Sequence, residues 1–125
     1  MAQQFVLKTT LDFASAHQLH GYPGDCAQLH GHNWKIEVQV IGQKLNDIGM
    51  VIDFKEIKRQ AKEVAKELDH TYLNDHPYFK TNNPTAENMA VYLYREIESR
   101  IATDLVKMHS ITVWENERNC VIYSE

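Results

Sequence analysis

Between Phe5 and Phe13 the apolar residues Phe5, Leu7, Leu11 and Phe13 hold odd positions, and the even positions are mostly polar. A period of two predicts a half-buried strand. The same parity carried forward reaches Ser15 and then His17. From Asn33 to Val40 the apolar residues are all even and the polar ones all odd, which predicts a second strand. Carried backwards, that parity reaches His32 and His30, so His17, His30 and His32 all point to the apolar faces of their strands. The period then changes. Phe54, Ile57, Ala61, Val64 and Leu68 recur every three or four residues, with Lys55, Lys58, Arg59, Lys62 and Lys66 on the other faces. That is an amphipathic helix, opened by a capping-box-like pair, Asp53 and Glu56, and expected to end near Asp69-His70. Turn residues fill 71–84, which is read as a loop. A second helix starts after Thr85 as N-cap and buries Ala90, Leu93, Tyr94, Ile97 and Ile101. A hairpin closes the chain, with strands Ser110 to Trp114 and Asn119 to Tyr123. The order ββααββ predicts an α+β fold, a four-stranded antiparallel sheet with two helices on one face.

Composition narrows the function classes. The 125 residues suit one domain, and 43% hydrophobic with 24% charged is a soluble globular balance. The net charge of −4, with both signs mixed along the chain, argues against a nucleic-acid partner, which needs a basic stripe. No apolar run approaches the ~18 residues of a membrane span, and the N-terminus has no signal-peptide core. The expected location is a reducing cytoplasm, where Cys26 and Cys120 are thiols. Histidine is the enriched class: there are seven, and four lie between positions 17 and 32.

Residues i and i+2 of a strand project on one side about 7 Å apart, so His30 and His32 can share a metal. Gly31 between them permits close backbone approach. His17 on a neighbouring strand completes three nitrogen ligands, and three ligands with an open fourth position are the arrangement of a catalytic zinc. Cys26 has three readings. As fourth ligand it makes the zinc structural, as a thiolate it is a nucleophile or base, and as a small hydrophobe it is inert. Spacing leaves the first two open. Asp69 beside His70 supplies a carboxylate and an imidazole, though adjacent helical residues do not face each other, and an exposed pair at a helix end is the commoner case. Glu115 follows Ile111 and Val113 in parity, and a carboxylate there can accept two parallel N–H bonds from an amino-heterocycle. Thr85 is explained as a cap. His20, His76 and His109 show no partner, and Cys120 is read as packed in the hairpin.

The residues together resemble the 6-pyruvoyl-tetrahydropterin synthase family. The resemblance rests on Phe13-Ala14-Ser15-Ala16-His17, Cys26 with His30-Gly31-His32, Val51-Ile52-Asp53-Phe54, Leu68-Asp69-His70, Asn83-Pro84-Thr85-Ala86-Glu87-Asn88 and Glu115. It covers essentially all of residues 1–125 and is most like the bacterial branch, which includes the 6-carboxy-5,6,7,8-tetrahydropterin synthases of queuosine biosynthesis. It implies one tunnelling-fold domain, with three subunits closing a twelve-stranded barrel, two trimers stacked into a homohexamer and sites between subunits. It implies that His17, His30 and His32 bind zinc and that Cys26 is a proton-transferring thiol with Asp69 and His70 as its relay. Glu115 then anchors a pterin ring and relays protons, and Thr85 contacts the pterin. The implied substrate is 7,8-dihydroneopterin triphosphate. One branch releases acetaldehyde and triphosphate and leaves 6-carboxytetrahydropterin; the other eliminates triphosphate and keeps the side chain. Cys26 in place of the glutamate of some members favours these two branches without separating them. Lys35, Lys107 and Arg118 are the candidate cations for the triphosphate.

Two readings of other classes stand beside this one. A non-catalytic zinc-stabilised binding module would use Cys26 as fourth ligand. A zinc hydrolase would use a metal-bound water, although the sequence lacks His-Glu-x-x-His.

Overall fold

The computed structural model describes residues 3–24 and 27–125. Two long strands, β1 (Phe5–His17) and β2 (His30–Gly42), precede helix α1 (Phe54–Lys66). A two-residue strand β3 (Thr71–Tyr72), a 3-10 turn at Leu73–Asp75 and a short helix α2 (Pro77–Thr81) follow. Helix α3 (Ala86–Ile101) and strands β4 (Val106–Trp114) and β5 (Cys120–Tyr123) complete the chain. The sheet order is β3-β1-β2-β4-β5. Its four main strands pair antiparallel, as the hydrophobic periods predict. The expected four strands gain a fifth, because Thr71 and Tyr72 run parallel to β1 at Ser15 and Ala16. The segment 71–84 is therefore not the plain loop expected of it, since β3, a 3-10 turn and α2 all fall within it.

Parity sets the core. On β1, Leu11, Phe13, Ser15 and His17 are buried, and on β2, Trp34, Ile36, Val38 and Val40 are buried. α1 lays Ile57, Ala61, Val64 and Ala65 on this face, and α3 lays Met89, Ala90, Leu93 and Ile97 beside them. Both caps form as expected: Asp53 accepts from the Lys55 N–H at 2.8 Å, and Thr85 accepts from the Asn88 N–H at 3.1 Å. Glu56 does not complete a capping box and instead pairs with Arg59 and Gln60. α1 stops earlier than expected, at Lys66. Beyond it His70 takes a left-handed φ of 57°, which turns the chain back towards β1.

β4 starts four residues before the expected strand and carries a bulge. Gln39 lies opposite Ser110 but Val40 lies opposite Met108, so His109 is the extra residue. The bulge moves the buried set from even positions, Val106 and Met108, to odd ones, Ile111 and Val113. That shift gives Glu115 the parity of the core face. At the other end, Cys120 is exposed, against the expectation that it packs in the hairpin. Among the described residues no helix is long and apolar enough to cross a membrane.

Candidate functional site

The antiparallel register that pairs Phe13 with Trp34 also pairs Ser15 with His32 and His17 with His30. Two strands of inward parity thus place three imidazoles at one end of the core. Their ring centroids are 4.4 Å apart for His17 and His30, 4.8 Å for His30 and His32, and 5.2 Å for His17 and His32. One nitrogen from each ring lies within 4.8 Å of the others. Trp34, fully buried, floors the cluster, with its ring 4.9 Å from His32 and 5.3 Å from His17. Its indole N–H donates to Ser15 Oγ at 2.8 Å.

The outer hydrogen bonds of the rings assign their tautomers. His17 Nδ1 lies 2.8 Å from the Pro84 carbonyl oxygen, and His30 Nδ1 lies 2.8 Å from that of Gln28. A carbonyl only accepts, so each Nδ1 carries the proton and donates it. In the neutral rings both Nε2 atoms are then bare lone pairs, yet they face each other at 2.9 Å. Two lone pairs at that distance repel unless a cation or a proton lies between them. Burial pushes the His17 pKa below the ordinary imidazole value, against the Pro84 hydrogen bond and Glu115, while the neighbouring His30 and His32 push the same way as burial. Burial also lowers that of His32, although Glu115 opposes it. A metal cation between the rings would satisfy both lone pairs. His32 Nε2 is itself buried without a hydrogen-bond partner among the described residues. The three-histidine set thus passes a test of fit for a metal, with Pro84 and Gln28 as the groups that orient its ligands.

Glu115 follows the last residue of β4 and sets its carboxylate 3.8 Å from His32 Nε2, near but beyond hydrogen-bond length. His32 and Glu115 line an open cleft of about 610 Å³ with Lys35, Trp114 and Asn33. Of the three candidate cations Lys35 is in this cleft, whereas Lys107 lines a separate hollow with Gly42 and Asp104. The Arg118 N–H donates to Asn116 Oδ1 in the β4–β5 turn. Trp114 Nε1 is buried with no partner among the described residues.

Asp69 and His70 do face each other, contrary to what helical neighbours would do, because they lie beyond the helix. His70 Nδ1 is 2.9 Å from Asp69 Oδ1. Both are pinned to β1 at Ala14, whose N–H donates to Asp69 Oδ1 at 3.0 Å and whose carbonyl accepts from the His70 N–H at 2.6 Å. The Ala14 N–H, then the His70 ring, hold the Asp69 carboxyl below the ordinary carboxylate range. The ionised carboxylate accepts a hydrogen bond from the His70 Nδ1–H, which leaves Nε2 as the outward ring nitrogen. His70 is 84% exposed and lines a shallow depression with His32, Ser15 and Ala14. Thr85 Oγ1 caps α3, with its own O–H proton left to donate. Cys26 lies outside the described residues.

Hydropathy did not disclose Pro84, Gln28 or Trp34 as supports of the histidines. Trp34 alone had a readable signal, because it continues the parity of His30 and His32. His76 has partners unseen in the sequence: its Nε2 lies 3.4 Å from Glu67 Oε2 and 3.3 Å from Tyr92 Oη.

Comparison with known proteins agrees with this geometry. The chain is 31% identical to a Rickettsia typhi protein named 6-carboxy-5,6,7,8-tetrahydropterin synthase, over 90% of this chain and 94% of the relative. It is 30% identical to a Dictyostelium discoideum protein named 6-pyruvoyl tetrahydrobiopterin synthase, over 98% of each. The solved structure of Caenorhabditis elegans 6-pyruvoyl tetrahydropterin synthase superposes with a TM-score of 0.88 at 26% identity, covering 99% of this chain and 97% of that one. The family profile described as 6-pyruvoyl tetrahydropterin synthase matches residues 6–125, and the chain therefore belongs to that family, with its tunnelling fold.

Proposed function

We propose that the protein is a zinc-dependent carbon–carbon lyase that converts 7,8-dihydroneopterin triphosphate and one water to 6-carboxy-5,6,7,8-tetrahydropterin, releasing acetaldehyde and triphosphate. The observation that carries this reading is the three-histidine cluster with its facing Nε2 atoms and the orphaned nitrogen of His32. Relatives with the 6-carboxytetrahydropterin name, including one from Synechocystis at 32% identity, support the choice of product.

In this reading His17, His30 and His32 hold the zinc, which supplies Lewis-acid polarisation of the substrate's side-chain hydroxyls. Cys26 as thiolate moves a proton from the side chain, and His70, its Nδ1 proton held by Asp69, exchanges protons through Nε2. Glu115 accepts the paired N–H groups of the pterin ring, and Thr85 donates to that ring. Lys35 is the cation for the triphosphate because it shares the cleft of Glu115 and His32. The chain works as one domain, in the cytoplasm, within a homohexamer. β1 has no strand partner along Phe5–Ala14 on its outer edge, nor has β5 on its own, among the described residues. Pairing of such edges between subunits would close a barrel and complete sites between them.

A second reading is elimination of triphosphate with the side chain kept, favoured by the name of the Dictyostelium relative. Incubation with 7,8-dihydroneopterin triphosphate and mass analysis separates the two. Carboxytetrahydropterin with acetaldehyde is the expected result. A pyruvoyl product would establish the second reading, and no turnover of the compound would refute both.

A further inference from the structure

Beyond His17 the first strand has no strand beside it among the described residues. β2 leaves it at the His17–His30 pair, and β3 covers the other edge only at Ser15 and Ala16. The backbone of the next residues is nevertheless bonded as a strand's would be. The Gln18 N–H donates to Asn74 Oδ1 at 2.9 Å, and Asn74 Nδ2 donates to the Gln18 carbonyl at 2.8 Å. Two residues on, the His20 N–H donates to Asn83 Oδ1 at 2.9 Å, and Asn83 Nδ2 donates to the His20 carbonyl at 3.0 Å. A carboxamide carries the donor and acceptor of a peptide group, and alternate residues of a strand present both groups to one edge. Two asparagine side chains thus continue the edge that β3 begins.

We propose that Asn74 and Asn83 are positioning residues that set both the His17 ligand and the path of the residues that follow it, Gln18 to His20. Asn83 is anchored on its far side. The Asn83 carbonyl accepts from the Thr85 N–H at 2.7 Å and from Asn88 Nδ2 at 2.8 Å, which fixes it to the start of α3. Pro84, the next residue, is the one whose carbonyl orients His17. One short segment therefore fixes the ring of residue 17 and the backbone of residue 20. The start of that path is tied through Gln18. Its side-chain oxygen accepts from Tyr72 Oη at 2.5 Å, and its Nε2 donates to the Ala27 carbonyl at 3.4 Å. The Asn83 bonds to His20 are exposed, so their net contribution to global stability is small. Their effect is on where the chain leaving His17 can go.

This inference rests on the zinc reading only through His17, and its test keeps the two apart. The full-length protein is compared with Asn74→Ala, Asn83→Ala and the milder Asn83→Asp, which keeps the acceptor and loses the donor. Hydrogen exchange by mass spectrometry reads the clamp, and cobalt titration in the visible reads the histidines. The alanine variants should exchange about tenfold faster in peptides covering residues 18–24, with core strands β2 and β4 unchanged. Asn83→Asp should fall between. Asn83→Ala should bind cobalt about tenfold more weakly at unchanged stoichiometry, as expected when the support of a ligand is loosened. Unchanged exchange at residues 18–24, or equal acceleration through the whole chain, would overturn the proposal. Wild-type protein that takes up no cobalt would instead defeat the metal reading and leave exchange to decide the clamp.

Discussion

Trp34→Phe should cost about 3 kcal/mol although both residues are aromatic and apolar. Trp34 is fully buried, and its indole N–H is the partner of the buried Ser15 hydroxyl at 2.8 Å. Phenylalanine leaves that hydroxyl orphaned in the interior, a loss of about 1–2 kcal/mol. It also removes ~3 buried heavy atoms beneath the rings of His17 and His32, worth about 1–2 kcal/mol in transfer and cavity terms. Urea denaturation at fixed protein concentration, with chelator in excess, measures the sum without a contribution from bound metal. A midpoint lower by roughly 1–2 M at unchanged slope is expected. The sharper assay is the cycle with Ser15→Ala. If the hydrogen bond is the mechanism, removing both partners costs about 1 kcal/mol less than the two single losses added together. Additivity within about 0.3 kcal/mol would refute the reasoning, since residues without a shared interaction behave that way.

Two further substitutions test the frame around the site. Gly42→Ala sets a Cβ 2.5 Å from Val51 Cγ1 and 3.1 Å from the Leu105 carbonyl oxygen, so it should destabilise by about 1–3 kcal/mol, partly relieved by Val51→Ala, in thermal or urea melts. The Asp69 carboxyl is held below its ordinary range, so its contribution is present above the unfolded value of about 4 and is lost as pH falls through the lower folded value. The stability gap between wild type and Asp69→Asn should accordingly be widest above about pH 5 and close at more acid pH. A gap independent of pH would show that the Ala14 and His70 bonds do not act through the charge.

The parts of the fold that the sequence discloses are those where one residue's environment repeats along an element. Alternation from Phe5 to Phe13 and from Asn33 to Val40 foretells β1 and β2, and its continuation through His17, His30 and His32 foretells which way the histidines point. Three- and four-residue spacing foretells α1 and α3 and their caps. What parity cannot show is the bulge at His109, because an inserted residue breaks the count it depends on. Nor can it show β3, which exists by pairing two residues with a strand more than fifty positions away. The site divides along the same line. The three-histidine set is local in pattern and legible. The groups that orient it, Pro84 for His17 and Asn83 for the chain beyond, are distant carbonyl and amide contacts with no periodic trace. The facing of Asp69 and His70 depends on one left-handed residue that follows the end of α1, which no helical count would place there.

The central claim is that three histidines hold the metal and leave Cys26 for chemistry. Equilibrium zinc titration of the wild type beside His17→Ala, His30→Ala, His32→Ala and Cys26→Ala tests it directly. One zinc per chain is predicted in the wild type and in Cys26→Ala, with binding lost in each histidine variant and turnover lost in all four. Loss of zinc in Cys26→Ala, or retention of tight zinc in any histidine variant, would contradict it.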